Sequence, residues 1–504
     1  MSTLKNFHGT VHVVFSSHWD REWYLPFQKF RAKLVTVLDR ILAELESGHL
    51  PAYQMDGQFI PVEDYLEIRP EKEPLLRRMI AEGRFRVGPW YNLPDGFLVS
   101  GESMVRNFLL GMKRAEAFGR TSRIGWLCDI FGHNSQTPQI LSLLGIDNAF
   151  VWRGVDLGVS NPFLWQSPDG TQVLTHRFHE NGYTDFGFDV RKANRPDEIP
   201  TLDDMVCSAL AHFEKTRAAS KSEELLMFDG GDHMEFDPAI LDVIAKLNES
   251  AGREAFKVST LDQFMDALRK RQPETMVVRG ELRENAKMGT FGWLIPGVGS
   301  SRVPLKQANH AAETLLTLWA EPWCAAAHHA LGSEYPARAL ELAWEYLLKN
   351  HPHDSICGCS TDETHEAMPY RFAQSRHIAE HHLETSLRGL AAAALHDKIQ
   401  PRDLGLSLFA PAAGAPQAQP EVTIRLPKDW PQFSEFFGFE TKPSLRLFDL
   451  QGNEVGYQLL QVVPSAPHVR MPPLHFPASE VRQGIRIALD TAIAPGGARH
   501  FVAK

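Results

Sequence analysis

The sequence predicts an α/β protein in three parts: an α/β layer on a largely parallel sheet over residues 1–280, a helical bundle over 281–400, and a β-rich region over 401–504. Three observations predict it. In the first part, short β-branched and aromatic runs alternate with helix-spaced apolar residues, the pattern of βαβ units. From Asn309 to Leu395 the chain is dense in Ala, Leu, Glu and His, with little strand signal. After Gln400, short alternating runs sit between Pro and Gly clusters and read as antiparallel β. A chain of 504 residues also exceeds one ordinary core and divides into domains.

Val11–Phe15 reads as a buried strand, followed by a helix that carries Leu34, Val37, Leu38, Ile41 and Leu42 at helical spacing. Arg84–Gly88 reads as a strand and Leu109–Phe118 as a helix. Ile124–Cys128 is strand-like and runs into Asp129; a helix over Pro138–Leu144 and a strand over Asn148–Trp152 follow. Glu224–Phe228 is a strand leading into Asp229-Gly-Gly-Asp232. Gly332–Ala337 breaks the helical part, and Ala410–Pro420, rich in Ala, Pro and Gln, reads as a linker or loop. Leu406–Phe409, Val422–Leu426, Ser444–Phe448 and Gly484–Ala488 are the strands expected near the end.

A formal net charge of -10 argues against a nucleic-acid partner, which selects a basic face. No apolar run precedes the first strand, so no signal peptide is expected, and no 18-residue apolar stretch predicts a membrane span. Cys128, Cys207, Cys324, Cys357 and Cys359 are too few for a disulfide framework and fit a reducing cytoplasm. Cys357 and Cys359, two apart, read as packed or idle thiols.

Four places carry candidate chemistry, each just past a strand or helix end, where ligands of open α/β sheets bind. In His18-Trp-Asp20-Arg-Glu-Trp23, residues two apart on an extended segment face one way, so His18 and Asp20 suit one metal ion; a solvated loop reads equally simply. Asp129 follows an apolar strand and precedes Ile-Phe-Gly-His133; it suits a cleft carboxylate or a helix N-cap. Asp229-Gly-Gly-Asp232-His233 suits a close backbone approach to a ligand or a plain turn. Asn350-His-Pro-His353-Asp354 ends a helical segment, where histidines also complement the helix dipole without any metal. Together they supply imidazoles, several carboxylates and an aromatic face, the parts of a metal site joined to an acid/base pair.

In order along roughly residues 10–365, the phrases His18-Trp-Asp-Arg-Glu-Trp23, Gly88-Pro-Trp-Tyr91, Val99-Ser-Gly-Glu-Ser-Met-Val-Arg-Asn107, Cys128-Asp-Ile-Phe-Gly-His133, Val151-Trp-Arg-Gly154, Gly231-Asp-His233 and Asn350-His-Pro-His-Asp-Ser-Ile356 resemble the α-mannosidases of glycoside hydrolase family 38, in their bacterial cytoplasmic branch. The resemblance implies an α/β catalytic domain, a three-helix bundle that contributes a metal ligand, and the start of a β-sandwich region. It implies a zinc site, one ion per chain or another divalent ion in its place, at His18, Asp20, Asp129 and His353. It assigns Asp129 as nucleophile, Asp232 as acid/base, and Trp23, Arg153 and Asp354 as substrate-binding. The implied reaction is retaining hydrolysis of terminal α-D-mannosides through a glycosyl-enzyme intermediate, on an oligosaccharide or a small mannosyl conjugate; homo-oligomerisation is left open. The alternatives are a mannosylglycerate or phosphomannosylglycerate hydrolase of the same family, a metal-dependent polysaccharide deacetylase, and a non-catalytic mannoside-binding fragment. Two departures stand out. The family's large C-terminal β region is expected beyond residue 504, so 401–504 reads as a β-rich domain cut short, and Gly231 stands before Asp232 where animal members tend to carry a second acid.

Overall fold

The computed structural model describes residues 2–156, 158–283, 294–427, 429–434, 441–471 and 474–504. The chain forms two compact units, Met1–Glu313 with Trp344–Ser375, and Thr314–Ala343 with Arg376–Lys504.

The first unit is built on short strands: β1 (Thr10–Phe15), β2 (Tyr53–Gln54), β3 (Phe85–Arg86), β4 (Asn148–Val151), β5 (Phe163–Gln166), β6 (Gln172–Arg177), β7 (Glu224–Asp229), β8 (Phe256–Val258) and β9 (Val277–Arg279). β1 lies between β7 and β8, parallel to both, and β2 pairs parallel with β3. A second sheet runs β4-β6-β5-β9, with β5 and β6 antiparallel and the other pairs parallel. The strand periodicity of two explains the layering. Val11, Val13 and Phe15 of β1, with Leu225 and Met227 of β7, enter one core, which takes Leu34, Leu38, Ile41 and Leu42 from the helix Phe27–Ser47. Val14, Leu226 and Phe228 enter another with Trp126, Phe150 and Phe264. Both faces are covered, so these strands read as near-continuous apolar runs. Each fully buried Leu or Phe contributes about 1.5–3 kcal/mol. The helix Phe27–Ser47 stops at Gly48, whose φ of 79° lets its N–H close on Leu45 O.

Two of the shared phrases turn out to frame the sheet. The Trp90 ring stacks on Phe108 at 3.5 Å, and its Nε1 donates to Trp126 O at 2.7 Å. Asn107 Oδ1 accepts from Tyr91 N and Asn92 N at 2.9 and 3.1 Å, while Ser100 caps the helix Gly101–Ala117.

The expected strand Ile124–Cys128 is reduced to a single bridge, Trp126 to Phe150. Two backbone bonds make that bridge, Phe150 N to Gly125 O at 2.8 Å and Leu127 N to Phe150 O at 3.0 Å; side chains take the neighbouring groups, Asn148 Oδ1 accepting from Gly125 N at 3.2 Å and Trp90 holding the Trp126 carbonyl.

In the region where a bundle is expected lie the helices Val303–Thr314, Glu321–Leu331, Ala337–Leu348 and Met368–Leu395, and Gly332 ends the second with φ 66°. The second unit carries antiparallel sheets around a core of Ile424, Leu426, Leu447, Ile485, Ile487, Leu489 and Phe501. The expected loop Ala410–Pro420 contains a two-residue strand, Gln417–Ala418, paired with Ala492–Ile493. Among the described residues, no helix is long and apolar enough to cross a membrane.

Candidate active site

The pairing of β1 with β7 runs in register from Thr10 opposite Glu224 to Phe15 opposite Asp229. It continues past both strand ends: Ser16 N donates to Asp229 O (2.9 Å), His18 N to Gly231 O (3.0 Å), and His233 N to His18 O (2.9 Å). His18 and Asp232 are thereby bridged side by side. Gly230 is required on this path, because a Cβ there would lie 2.4 Å from the Phe228 ring. Asp129 follows the Trp126 bridge with φ 62°, and His353 opens a short helix after Pro352, its N–H donating to Leu93 O at 2.9 Å.

These paths bring His18, Asp20, Asp129 and His353 together, all buried, with one ligand atom of each inside a 4.8 Å group that could hold a metal ion. His18 Nε2 is 2.9 Å from Asp20 Oδ1 and 3.3 Å from Asp129 Oδ2; His353 Nε2 is 3.2 and 3.1 Å from the same two oxygens. The two rings stack at 5.3 Å. Their other nitrogens are taken: His18 Nδ1 donates to Asp56 Oδ2 at 2.9 Å, and His353 Nδ1 to Leu93 O at 3.2 Å. A carbonyl can only accept, so His353 carries its proton on Nδ1 in its neutral form and turns the Nε2 lone pair toward the carboxylates. That buried Nε2 has no hydrogen bond. His18 Nε2, by contrast, is hydrogen-bonded to Asp20 Oδ1. Two imidazole nitrogens and two carboxylate oxygens meeting at one point fit a cation between them, and imidazole plus carboxylate is a donor set that binds divalent transition metals.

The same carboxylates set the electrostatics. Burial alone would lower both imidazoles, yet Asp20 and Asp56 around His18, and Asp354 and Asp129 around His353, hold them well above their ordinary values. Burial would raise Asp129, but the Arg153 guanidinium, then His18 and His353, keep its carboxyl well below the usual range. Arg153 Nη2 donates to Asp129 Oδ1, and the guanidinium lies over the Trp152 ring at 4.1 Å and the Phe131 ring at 4.9 Å. Asp232 goes the other way. Burial pushes it up to about 6 against the pull of His18, with Asp129 and Asp20 adding to the rise, while Tyr183 OH donates to its Oδ1 at 2.7 Å. Asp354 is buried beside His353, 3.6 Å from its Nε2, and accepts from Cys359 Sγ at 3.1 Å. Trp23 is half-buried with its ring against Tyr24 at 4.1 Å, and its carbonyl accepts from Thr361 N and Thr364 Oγ1.

Sequence reasoning missed several members. Asp56 and Gln58 lie behind His18; His233 Nε2 donates to Asp20 Oδ2 at 3.2 Å; Tyr183 holds Asp232. Glu22, inside the first phrase, is a buried anchor that accepts from Ser355 Oγ (2.8 Å) and from Arg371 (2.5 and 3.1 Å). Asp56, Asp129 and His233 all hold left-handed backbone, with φ of 49°, 62° and 53°. Such strain costs about 1–3 kcal/mol per residue and gathers at functional sites. One signal for Asp56 was available: like Asp232 after β7, it lies just past a strand, here β2.

A family model for the glycosyl hydrolases family 38 N-terminal domain matches residues 8–285, and one for the alpha mannosidase middle domain matches residues 296–390. A protein provisionally named mannosylglycerate hydrolase from Halalkalibacterium halodurans is 36% identical over 72% of this chain and 41% of its own. An alpha-mannosidase of Saccharomyces cerevisiae is 27% identical over 71% of this chain and 33% of its own. This chain therefore spans less than half the length of either relative. The crystal structure of an alpha-mannosidase from Enterococcus faecalis matches 98% of this chain and 56% of its own, with a TM-score of 0.87 and 29% identity.

Proposed function

The chain belongs to glycosyl hydrolase family 38, and from that premise we propose that it is a zinc-dependent, retaining exo-α-mannosidase acting on terminal α-D-mannosides. The observation that carries the reading is the convergence of His18, Asp20, Asp129 and His353, with Asp129 held ionised and Asp232 held up to about 6. Two carboxylates with pKa values pushed apart divide naturally into nucleophile and acid.

Asp129 attacks the anomeric carbon, forming a glycosyl ester as the glycosidic C–O bond breaks. Asp232, protonated, gives its proton to the departing oxygen. It then takes a proton from water, whose oxygen attacks the same carbon and breaks the ester, restoring both groups. Arg153 orients the Asp129 carboxylate and balances its charge. Asp354 and Trp23 are assigned to sugar hydroxyls and to the apolar sugar face. A bound zinc would supply a Lewis acid and a template for vicinal hydroxyls.

A second reading, hydrolysis of mannosylglycerate, is favoured by the 36% identity to a relative of that name. The deciding experiment is release of mannose from an aryl α-mannoside and from mannosylglycerate, with and without a chelator, by the wild type and Asp129→Ala. The expected result is zinc-restored turnover that is lost in the variant by on the order of 10⁴-fold or more. Turnover untouched by chelator, or kept by Asp129→Ala, would overturn the reading.

A further inference from the structure

Asp56 is fully buried and lies outside the four clustered residues. Its Oδ2 accepts from His18 Nδ1 at 2.9 Å and from Gln58 Nε2 at 3.0 Å. Gln58 Nε2 also donates to Trp19 O at 2.8 Å, and Gln54 Nε2 donates to the Asp56 carbonyl at 2.5 Å. The acceptor is thus pinned from behind. Its φ of 49° is a conformation that Asp, Asn and Gly tolerate and other residues resist. Asp56 Oδ1 is buried and has no hydrogen-bond partner. A buried carboxylate left half-bonded is costly unless positive charge stands close by.

We infer that Asp56 is a positioning residue for the metal: it holds His18 in the Nδ1–H tautomer, fixes the ring plane, and makes Nε2 a stronger donor. The inference rests on the metal reading proposed above and goes beyond it by assigning part of the ion's affinity to a residue that does not touch it. The same arrangement explains the strained backbone at Asp56, since a relaxed conformation would move the carboxylate off the imidazole. His353 has only the Leu93 carbonyl in the equivalent place. The two imidazoles are therefore unequal ligands: one is backed by a charge and one by a dipole.

The test uses the full chain. Zinc affinity is measured by competition with a chromogenic chelator for wild type, His18→Ala, Asp56→Asn and Asp56→Gly. Asparagine keeps an acceptor and tolerates the left-handed backbone but removes the charge; glycine keeps the backbone and removes the acceptor. The expected losses are about tenfold for Asp56→Asn and about 100-fold for Asp56→Gly, the range for groups behind a metal-bound histidine. Affinity within twofold of wild type in both variants, with His18→Ala binding none, overturns the role of Asp56 and leaves the metal reading standing. Equal binding by wild type and His18→Ala overturns both. A second readout needs no substitution at Asp56. In the cobalt-loaded wild type, two hyperfine-shifted exchangeable imidazole N–H signals are expected, one each from His18 and His353. A single signal, that of His353, would mean that His18 carries no Nδ1 proton, and the inference fails.

Discussion

Among the described residues, the first unit holds two acid–histidine clusters of the same apparent tightness. His18, Asp20, Asp129 and His353 form one, and Asp185, Asp189 and His212 the other, each with ligand atoms within 4.8 Å. In the second, positive charge is already built in. Lys215 Nζ lies 2.9 Å from Asp185 and 3.7 Å from Asp189, and His212 Nδ1 itself donates to Asp189 at 2.9 Å. Its carboxylates sit one turn apart on the helix Asp185–Val190, facing a neighbouring helix, Leu202–Ala219, that supplies both partners. The first cluster draws its members from distant parts of the chain, anchors each imidazole by its outer nitrogen, and leaves His353 Nε2 unbonded at the centre. Short distances are common to both. His18 Nε2 bonds Asp20 in the first cluster as His212 bonds Asp189 in the second, so what separates the two is the unbonded His353 Nε2 in one and the built-in Lys215 cation in the other.

The strongest way to break this comparison is a pair of substitutions read by metal analysis after dialysis. His18→Ala is expected to take bound zinc to background, whereas His212→Ala leaves it unchanged and lowers stability by about 1 kcal/mol through a lost hydrogen bond. Equal losses of zinc in the two variants would erase the distinction. Next in size, Asp232→Asn should lower kcat/KM by about 10²–10⁴-fold, the usual contribution of a positioned acid/base group. Asp232 must be protonated to act as the acid, and its pKa is raised to about 6, so wild-type activity should fall as pH rises through that value. That alkaline limb should vanish in the variant; its persistence would assign the acid elsewhere. The smallest effect is expected for Tyr183→Phe. The hydroxyl bonds the ionised carboxylate, so removing it raises the Asp232 pKa further and moves the limb to higher pH. A change in kcat/KM of about threefold to tenfold should accompany the move. A limb that stays in place would show that the hydrogen bond does not govern the acid.

The legible parts of the molecule are those where one local rule decides. β1 and β7 are near-continuous apolar runs because both faces are covered, and the residues past their ends, His18 and Asp232, stand out as site candidates by position. The ligand set and the catalytic roles came from the resemblance of ordered phrases; spacing alone left each of them open. Asp56 was hidden because an Asp-Gly pair after a two-residue strand looks like any turn. Tyr183 and His233 act through partners far away in sequence, which no local pattern reveals. The strand at Ile124–Cys128 shrank to one bridge because side chains take the backbone groups beside its two bonds to Phe150, whereas the strand Tyr457–Arg470 was missed although its ladder is long. It is an edge strand interrupted by register shifts and two prolines, tolerated where no neighbour needs the missing N–H groups.

Glu22 sets a limit on where the polypeptide can be cut. It is buried, and its charge is met by Ser355 and Arg371, 333 and 349 positions downstream, which belong to the same compact unit. A chain ending at residue 285, where the N-terminal family match stops, would keep Glu22 and lose both partners. An uncompensated buried charge costs about 3–5 kcal/mol, a large share of the stability of an ordinary domain. The stretch that the family match recognises and the stretch that packs as one compact unit are thus different lengths of the same polypeptide.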